Sequence, residues 1–367
     1  MKPRKPQTPT ARRPAPPPRA LAAGDWIWTC RQGSEADLVE ELAAASKKCA
    51  PSVVAPALVR SSVRPKKGDA PIEPAFARQG FAVDAIVQVP DGGAAALGAA
   101  IASAIAPALG ASPFALQVWV ADSDAANPLS AYATDVEAAA MAALAARDGS
   151  IVSRRIEPLE AQSGDDRFAQ ACVLARGRAA VGTIPIGAAV SYAPGGRRRI
   201  SAPAGAPSRA AAKLLEAFDW LGRAPDPGDR CIDLGAAPGG WSWVLLERRA
   251  RVVAVDPAQL APSLAKNRNL RHVQASAFDW LPDEPADWLF CDMAWRPLEA
   301  AALLAKWGRR GAARFLVANI KLPMRKKVEF VRRVTEILAT GGWRDVKVRQ
   351  LYHDREEVTL GAWRLGR

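Results

Sequence analysis

The sequence is poor in the residues that build metal sites, disulfide frameworks and histidine-based catalytic centres. Its 367 residues include five cysteines and two histidines, and no two cysteines have the C-x-x-C spacing. This composition argues against a structural zinc site, a disulfide-rich secreted fold and a Ser-His-Asp hydrolase. Scattered thiols are typical of a reducing compartment, so a cytoplasmic protein without a bound metal is predicted.

Long apolar runs are also missing. The N-terminus carries charge but no apolar segment of a secretory signal. The uncharged, Ala- and Gly-rich stretch 92–111 contains a proline and places Leu97, Ile101, Ile105 and Leu109 four residues apart. That spacing predicts the buried face of a helix and not a membrane span.

Acidic residues are outnumbered, because 50 Lys and Arg face 37 Asp and Glu and the net charge is +13. Residues 1–20 contain six basic residues, seven prolines and no acid, yet the rest of the chain still carries +7. This excess favours a polyanionic partner such as nucleic acid; a general abundance of surface arginine is the alternative. The basic, Pro-rich composition of residues 1–24 predicts a disordered arm.

The next part of the chain mixes strands and helices without regular alternation, which indicates an α+β region. Two units are expected in this region, 25–75 and 76–186. The predicted elements are strands 26–30, 81–89 and 114–120, helices 35–48, 92–111 and 134–147, and a hairpin of strands 168–175 and 179–184. The Gly- and Arg-rich segment 187–206 predicts a linker.

From residue 207 to 367 the pattern becomes regular. The predicted elements are helices 208–222, 239–249 and 325–339 and strands 230–236, 251–256, 287–293, 313–321, 344–352 and 357–365. Strand-helix repetition of this kind predicts an α/β fold with a doubly wound, Rossmann-like parallel sheet. Since the last two strands are separated by only four residues, they are expected to form an antiparallel hairpin.

The segment 233–241, DLGAAPGGW, joins a strand directly to a helix. It lacks the G-x-G-x-x-G pattern of dinucleotide sites and the G-K-[ST] of P-loops. Asp256 follows Gly235 by 21 residues and ends the next strand, where a carboxylate can accept from ribose hydroxyls. The segment therefore predicts a ligand that has a ribose but no diphosphate, which indicates S-adenosylmethionine. The alternative is that 233–241 is a tight strand-to-helix turn that binds no ligand.

This segment resembles the first motif of the FtsJ-like ribose 2′-O-methyltransferases. Segment 208–214, SRAAAKL, is similar to their S-R-x-x-x-K-L helix, and 291–293, 319–322 and 357–360 match further motifs in order. The resemblance covers 207–367 and implies a Lys-Asp-Lys-Glu tetrad. Its members here would be Lys213, Asp292, Lys321 and Glu357.

The resemblance also implies a set of cofactor contacts. These are Ser208, Asp233, Gly235, Ala237, Pro238, Gly239, Gly240, Trp241, Asp256, Ser276 and Asp292. The sequence departs from the family at the adenine, where an acid is common and Ser276 stands instead. The adenine contact is therefore Ser276, Asp279 or a backbone group.

The N-terminal half narrows the resemblance to one group of these enzymes. A ferredoxin-like unit and a THUMP-like unit before such a domain are similar to the RlmM-type enzymes, which methylate a cytidine ribose in 23S rRNA. The resemblance implies an enzyme acting on 23S rRNA or its precursor. The sequence does not give the oligomeric state, and a monomer is expected. A methyltransferase for another RNA such as tRNA, and a non-catalytic RNA-binding protein with a retained fold, are the alternatives.

The expected chemistry is removal of a ribose 2′-hydroxyl proton during methyl transfer. Lys321 is the predicted general base, with the like charge of Lys213 and burial lowering its pKa. Asp292 would orient Lys321, and Glu357 would hold Lys213 or the ribose. Trp295 is the candidate for stacking near the target nucleotide. Basic residues flanking Lys321 contact RNA or are simply solvated; they are Arg309, Arg310, Arg314, Arg325, Lys326, Lys327, Arg332 and Arg333.

Overall fold

The computed structural model describes residues 19–67 and 70–364. The predicted arm lies outside this range at 1–18, but its last residues are packed: Leu21 is buried, and the Gly24 N–H donates to the Val83 carbonyl. Order therefore begins before Trp26. Among the described helices, none is long and apolar enough to cross a membrane.

The first unit is a four-stranded antiparallel sheet with one helix. Its elements are β1 (Trp26–Thr29), α1 (Glu35–Ala45), β2 (Ser52–Ala55), β3 (Leu58–Ser61), a small hairpin of β4 (Lys66–Lys67) and β5 (Ala70–Pro71), and β6 (Gln79–Ala82). The strand order is β2-β3-β1-β6. Because β6 pairs with β1, the predicted boundary at residue 75 is wrong and this unit extends to Ala82.

The second unit is a mixed four-stranded sheet with two helices. Its elements are β7 (Ala85–Gln88), α2 (Ala94–Leu109), β8 (Phe114–Trp119), α3 (Ser130–Arg147), β9 (Arg167–Ala175) and β10 (Arg178–Pro185). The strand order is β7-β10-β9-β8, and β8 and β9 run parallel. The four apolar residues spaced along α2 are buried, as their spacing predicted.

The single strand expected at 81–89 is wrong. The chain leaves the first sheet after β6 and enters the second as β7, so two strands take its place. Asp84 lies at the crossing, where its carboxylate accepts from the Thr183 N–H at 2.7 Å. The two sheets share a core, in which the rings of Phe81 and Trp119 meet edge to face at 5.8 Å.

The third unit is a seven-stranded sheet with helices on its faces. Its elements are α4 (Ala210–Leu221), β11 (Arg230–Leu234), α5 (Gly240–Glu247), β12 (Arg251–Val255), β13 (Leu270–Val273), β14 (Ala286–Cys291), α6 (Pro297–Arg310), β15 (Ala313–Lys321), α7 (Lys327–Thr340), β16 (Arg344–Arg349) and β17 (Glu357–Trp363).

The strand order of this sheet is β13-β12-β11-β14-β15-β17-β16. Strands β11 to β15 are parallel, and β17 is antiparallel to both of its neighbours. The predicted doubly wound sheet and terminal hairpin are confirmed, whereas β13 and α6 were not identified from the sequence. The order reverses between β11 and β14, and such a switch point is where open α/β sheets bind ligands.

The segment 187–206 is not a free linker. Gly195 and Gly196 are buried, and the Gly195 carbonyl accepts from the Thr29 hydroxyl at 3.0 Å. Both glycines adopt positive φ, and a Cβ on Gly196 would lie 2.4 Å from the Arg78 carbonyl oxygen. The glycines therefore allow the segment to pack closely on the first unit. From its composition alone, the segment had been expected to lie in solvent.

Candidate active site

The loop after β11 has the shape of a ligand cradle. Gly235 and Gly239 have φ of 74° and 109°, a region that side chains other than glycine rarely adopt. A Cβ on Gly235 would lie 2.4 Å from Met293, and one on Gly240 would lie 2.2 Å from the Ser208 hydroxyl. The glycines therefore bring the backbone close to the β14 loop and to the start of α4.

Asp256, which follows β12, supports this loop. One carboxylate oxygen accepts from the Ala237 N–H at 3.1 Å and the other from the Ala258 N–H at 2.8 Å. The side chain is half-buried at the carboxyl edge of the sheet. Its position beside the Gly-rich turn suits the ribose contact that the sequence predicts, and it also fixes the turn itself.

Asp233 is buried beneath the loop, inside β11. One oxygen accepts from the Ser242 hydroxyl at 2.7 Å, and the other has no partner among the described residues. Burial, partly offset by the Ser242 bond and reinforced by the charge of Asp292, raises the pKa of Asp233 to about 7. An unpartnered buried oxygen directly under the turn is compatible with a donor supplied by a ligand.

The other predicted cofactor residues differ in how far they are exposed. Trp241 is almost fully buried, and its indole donates to the Ala210 carbonyl at 3.0 Å, so it joins α5 to α4. Pro238 is exposed at the tip of the loop. Of the two candidates for the adenine contact, Ser276 is half-buried and accepts from the Phe278 N–H at 3.2 Å, whereas Asp279 is exposed.

The four tetrad residues come from four elements and converge. Lys321 ends β15 and faces Glu357, the first residue of β17, in the pairing register. The Lys321 Nζ donates to one Glu357 oxygen at 2.8 Å, and the Lys213 Nζ from α4 donates to the other. Asp292 follows β14 directly, and its charge acts on both lysines and on Glu357.

The electrostatics of this cluster differ from expectation in one respect. The sequence predicted that Lys321 faces the like charge of Lys213, with Glu357 holding Lys213 or the ribose; in the structure the Glu357 carboxylate lies between the two Nζ atoms and pairs with both. Burial favours the neutral form of Lys213, yet Asp292 and Glu357 outweigh it and raise the pKa of Lys213. Burial likewise opposes ionisation of Glu357, but hydrogen bonds from both lysines lower its pKa. Burial raises the pKa of Asp292 against the opposing effect of the lysines.

The sequence did not reveal a polar chain behind the tetrad. The Thr359 hydroxyl lies 2.7 Å from the Asn319 Oδ1 and 2.9 Å from an Asp354 oxygen. The neighbouring Asn319 amide favours the charged form of Asp292 and so opposes the rise in its pKa that burial causes. Asp354 is buried, and burial raises its pKa to about 8. Asn319 and Thr359 stood within motif segments, but their pairing across β15 and β17 required the sheet.

Of the basic residues flanking Lys321, Lys327 is not available to RNA. Its side chain is buried and forms ion pairs with Asp37 of α1 at 3.4 Å and Glu356 at 2.8 Å. It therefore docks the first unit onto the third. Trp295 remains half exposed beside Phe278, with 5.2 Å between ring centroids.

Comparisons with known proteins identify relatives of this chain. The family model described as FtsJ-like methyltransferase matches residues 206–323. The ribosomal RNA large subunit methyltransferase M of Halorhodospira halophila is 36% identical over 352 residues, which cover 93% of this chain and 97% of that protein. The protein of the same name from Thauera aminoaromatica is 43% identical over 176 residues, covering 45% and 48% respectively.

Proposed function

The chain belongs to the family of the ribosomal RNA large subunit methyltransferases M, and we propose that it methylates the 2′-hydroxyl of a cytidine ribose in 23S rRNA or its precursor. The reaction depends on S-adenosylmethionine. The observation that carries the site assignment is the convergence of Lys213, Asp292, Lys321 and Glu357 beside the Gly-rich loop. As an rRNA-modifying enzyme with free thiols, the protein would act in the cytoplasm. A monomer is the expected oligomeric state.

The residues present fit the cofactor. The loop 235–240, with Ser208 and Asp256 beside it, would hold S-adenosylmethionine, and Ser276 or Asp279 lies where the adenine is expected. When bound, the cofactor supplies an activated methyl group on a positively charged sulfonium. The carboxylate of Asp292, at the neighbouring strand end, would favour that positive charge nearby.

The two lysines would have different roles. Lys213 is the less exposed of the pair, and its raised pKa keeps it protonated, so it anchors Glu357. Lys321 has a side chain that is 36% exposed and can be reached by the substrate. In its neutral amine form, Lys321 would accept the proton of the 2′-hydroxyl as the oxygen takes the methyl group, and Glu357 would accept a hydrogen bond from its Nζ and hold it in position.

The test is methyl transfer by the full-length protein to unmethylated 23S rRNA, followed by mass-spectrometric mapping of the modified nucleotide. A 2′-O-methylcytidine is expected with the wild-type protein and with Lys47→Ala, a control at an exposed lysine without an ion pair among the described residues. No product is expected with Lys321→Ala. Methylation of a base, or of tRNA but not rRNA, would contradict the proposal.

A further inference from the structure

A cleft of about 650 Å³ lies where the three units meet. Arg78 reaches it from the first unit and Gln117 from the second, and α4 and β16 close it from the third. The segment 189–199, which had been expected to be a solvated linker, forms one wall. The cleft is distinct from the Gly-rich loop and the tetrad, and no role has been assigned to it above.

The charge of this cleft is unbalanced. Its four acidic residues are already engaged: Glu73 pairs with Arg349, Asp219 pairs with Arg198, Glu216 accepts two backbone N–H groups, and Glu157 caps a short helix.

Two lining cations, Arg199 and Lys347, are exposed and have no ion pair within the described part of the chain. Burial and the neighbouring charge of Arg199 lower the pKa of Arg197. The cleft thus presents positive charge to solvent without an internal counterion.

Aromatic and amide groups accompany these cations. Tyr192 lines the cleft with 40% of its surface exposed, and its backbone carbonyl, not its phenol, accepts from Gln117. Gln117 and Gln350 each carry a buried side-chain oxygen without a partner among the described residues. Unpaired cations and an exposed ring are the groups that recognise phosphates and a base face.

Two segments of the chain connect the walls of the cleft with the catalytic residues. Glu216 lies one turn after Lys213 on α4, and its carboxylate accepts from the N–H groups of Tyr352 and His353. The same turn continues through Asp354 to Glu357. On the other side, residues 199–208 lead from the cationic wall to Ser208 at the Gly-rich loop.

We propose that this cleft binds an unpaired nucleotide of the substrate RNA, outside the target nucleotide, with its base on Tyr192 and adjacent phosphates at Arg199 and Lys347. The inference rests on the proposed function, since it concerns the RNA of that reaction. It assigns part of RNA recognition to a surface that exists only when the three units are docked.

The first test measures binding of an rRNA fragment that the wild-type protein methylates, over a range of salt concentrations. The double variant Arg199→Ala/Lys347→Ala should bind more weakly, with the slope of log K against log salt reduced by roughly 1.4 for two lost single-strand phosphate contacts. The matched control is Arg268→Ala/Arg271→Ala. These arginines are exposed, have no ion pair among the described residues and lie at or beside β13, the opposite edge of the sheet from β16.

The second test separates stacking from charge. Tyr192→Ala should weaken binding of the same fragment roughly tenfold without changing the salt slope, and Tyr192→Phe should retain wild-type affinity. An unchanged salt slope in the double variant, an equal change in the control pair, or unaltered affinity in Tyr192→Ala would each overturn the assignment.

Failure of the cleft and failure of the proposed function are distinguishable. If the wild-type protein methylates no rRNA fragment, the proposed function is refuted. If it methylates the fragment and the cleft variants bind like wild type, the cleft proposal alone is refuted.

Discussion

Replacement of Lys321 by alanine is expected to abolish methyl transfer while leaving the fold almost unchanged. The Lys321 side chain is 36% exposed, and Glu357 retains Lys213 on its other oxygen. The stability cost is therefore that of a partly exposed ion pair, up to about 1 kcal/mol. Loss of a positioned base should lower the rate by roughly 10²–10⁴-fold, equivalent to about 3–5 kcal/mol on the barrier.

Lys213→Ala provides the contrast. Glu357 is only 5% exposed, and Lys213 is the less exposed of its two cationic partners. Lys321 would still pair with Glu357 in this variant, so its cost should exceed that of Lys321→Ala but stay below about 3–5 kcal/mol, the cost of a buried charge left without any partner. We expect this variant to unfold at a clearly lower temperature, so its loss of activity would combine stability and chemistry.

The assay is single-turnover methyl transfer at saturating RNA, with cofactor affinity measured separately by calorimetry. Lys321→Arg keeps a positive charge but cannot release its proton near neutral pH, so it should be as inactive as Lys321→Ala. Near-wild-type single-turnover rates for Lys321→Arg would refute the base role and leave Lys321 with electrostatic positioning alone.

Three further predictions concern the loop and the buried acids. Asp256→Ala should weaken S-adenosylmethionine binding by calorimetry, because the carboxylate fixes the loop at Ala237 and is the predicted ribose acceptor; unchanged affinity would exclude that role. Gly235→Ala should lower both the unfolding temperature and cofactor affinity, because its φ of 74° costs other residues about 1–2 kcal/mol and its Cβ would meet Met293; a wild-type melting curve would contradict this. Asp354 has a pKa raised from 3.8 to about 8, so it takes up a proton on folding and its contribution to stability is lost as pH rises from about 4 to 8. Asp354→Asn should reduce the pH dependence of the free energy of unfolding by up to about 1.4 kcal/mol per pH unit, measured by urea unfolding. Parallel pH profiles for the variant and the wild type would argue against this role of Asp354.

Much of the active site was predictable because its residues lie next to strand ends in sequence. Asp256 and Asp292 follow β12 and β14 directly, and Lys321 ends β15, so the parallel sheet brings them to one edge. What the sequence could not indicate is the position of the Glu357 carboxylate between the two lysines. That position depends on the antiparallel register of β17 against β15 and on the approach of α4.

The sequence by itself determined the elements whose signal is local: the Gly-rich turn, the buried face of α2, and the strand-helix alternation after residue 207. The tertiary structure alone decided the division of 81–89 between two sheets, the burial of Gly195 and Gly196, and the use of Lys327 as an interdomain ion pair. The physical reason is the same in each case. Periodicity and turn chemistry act over a few neighbouring residues, whereas these features arise from packing between segments that are distant in the chain.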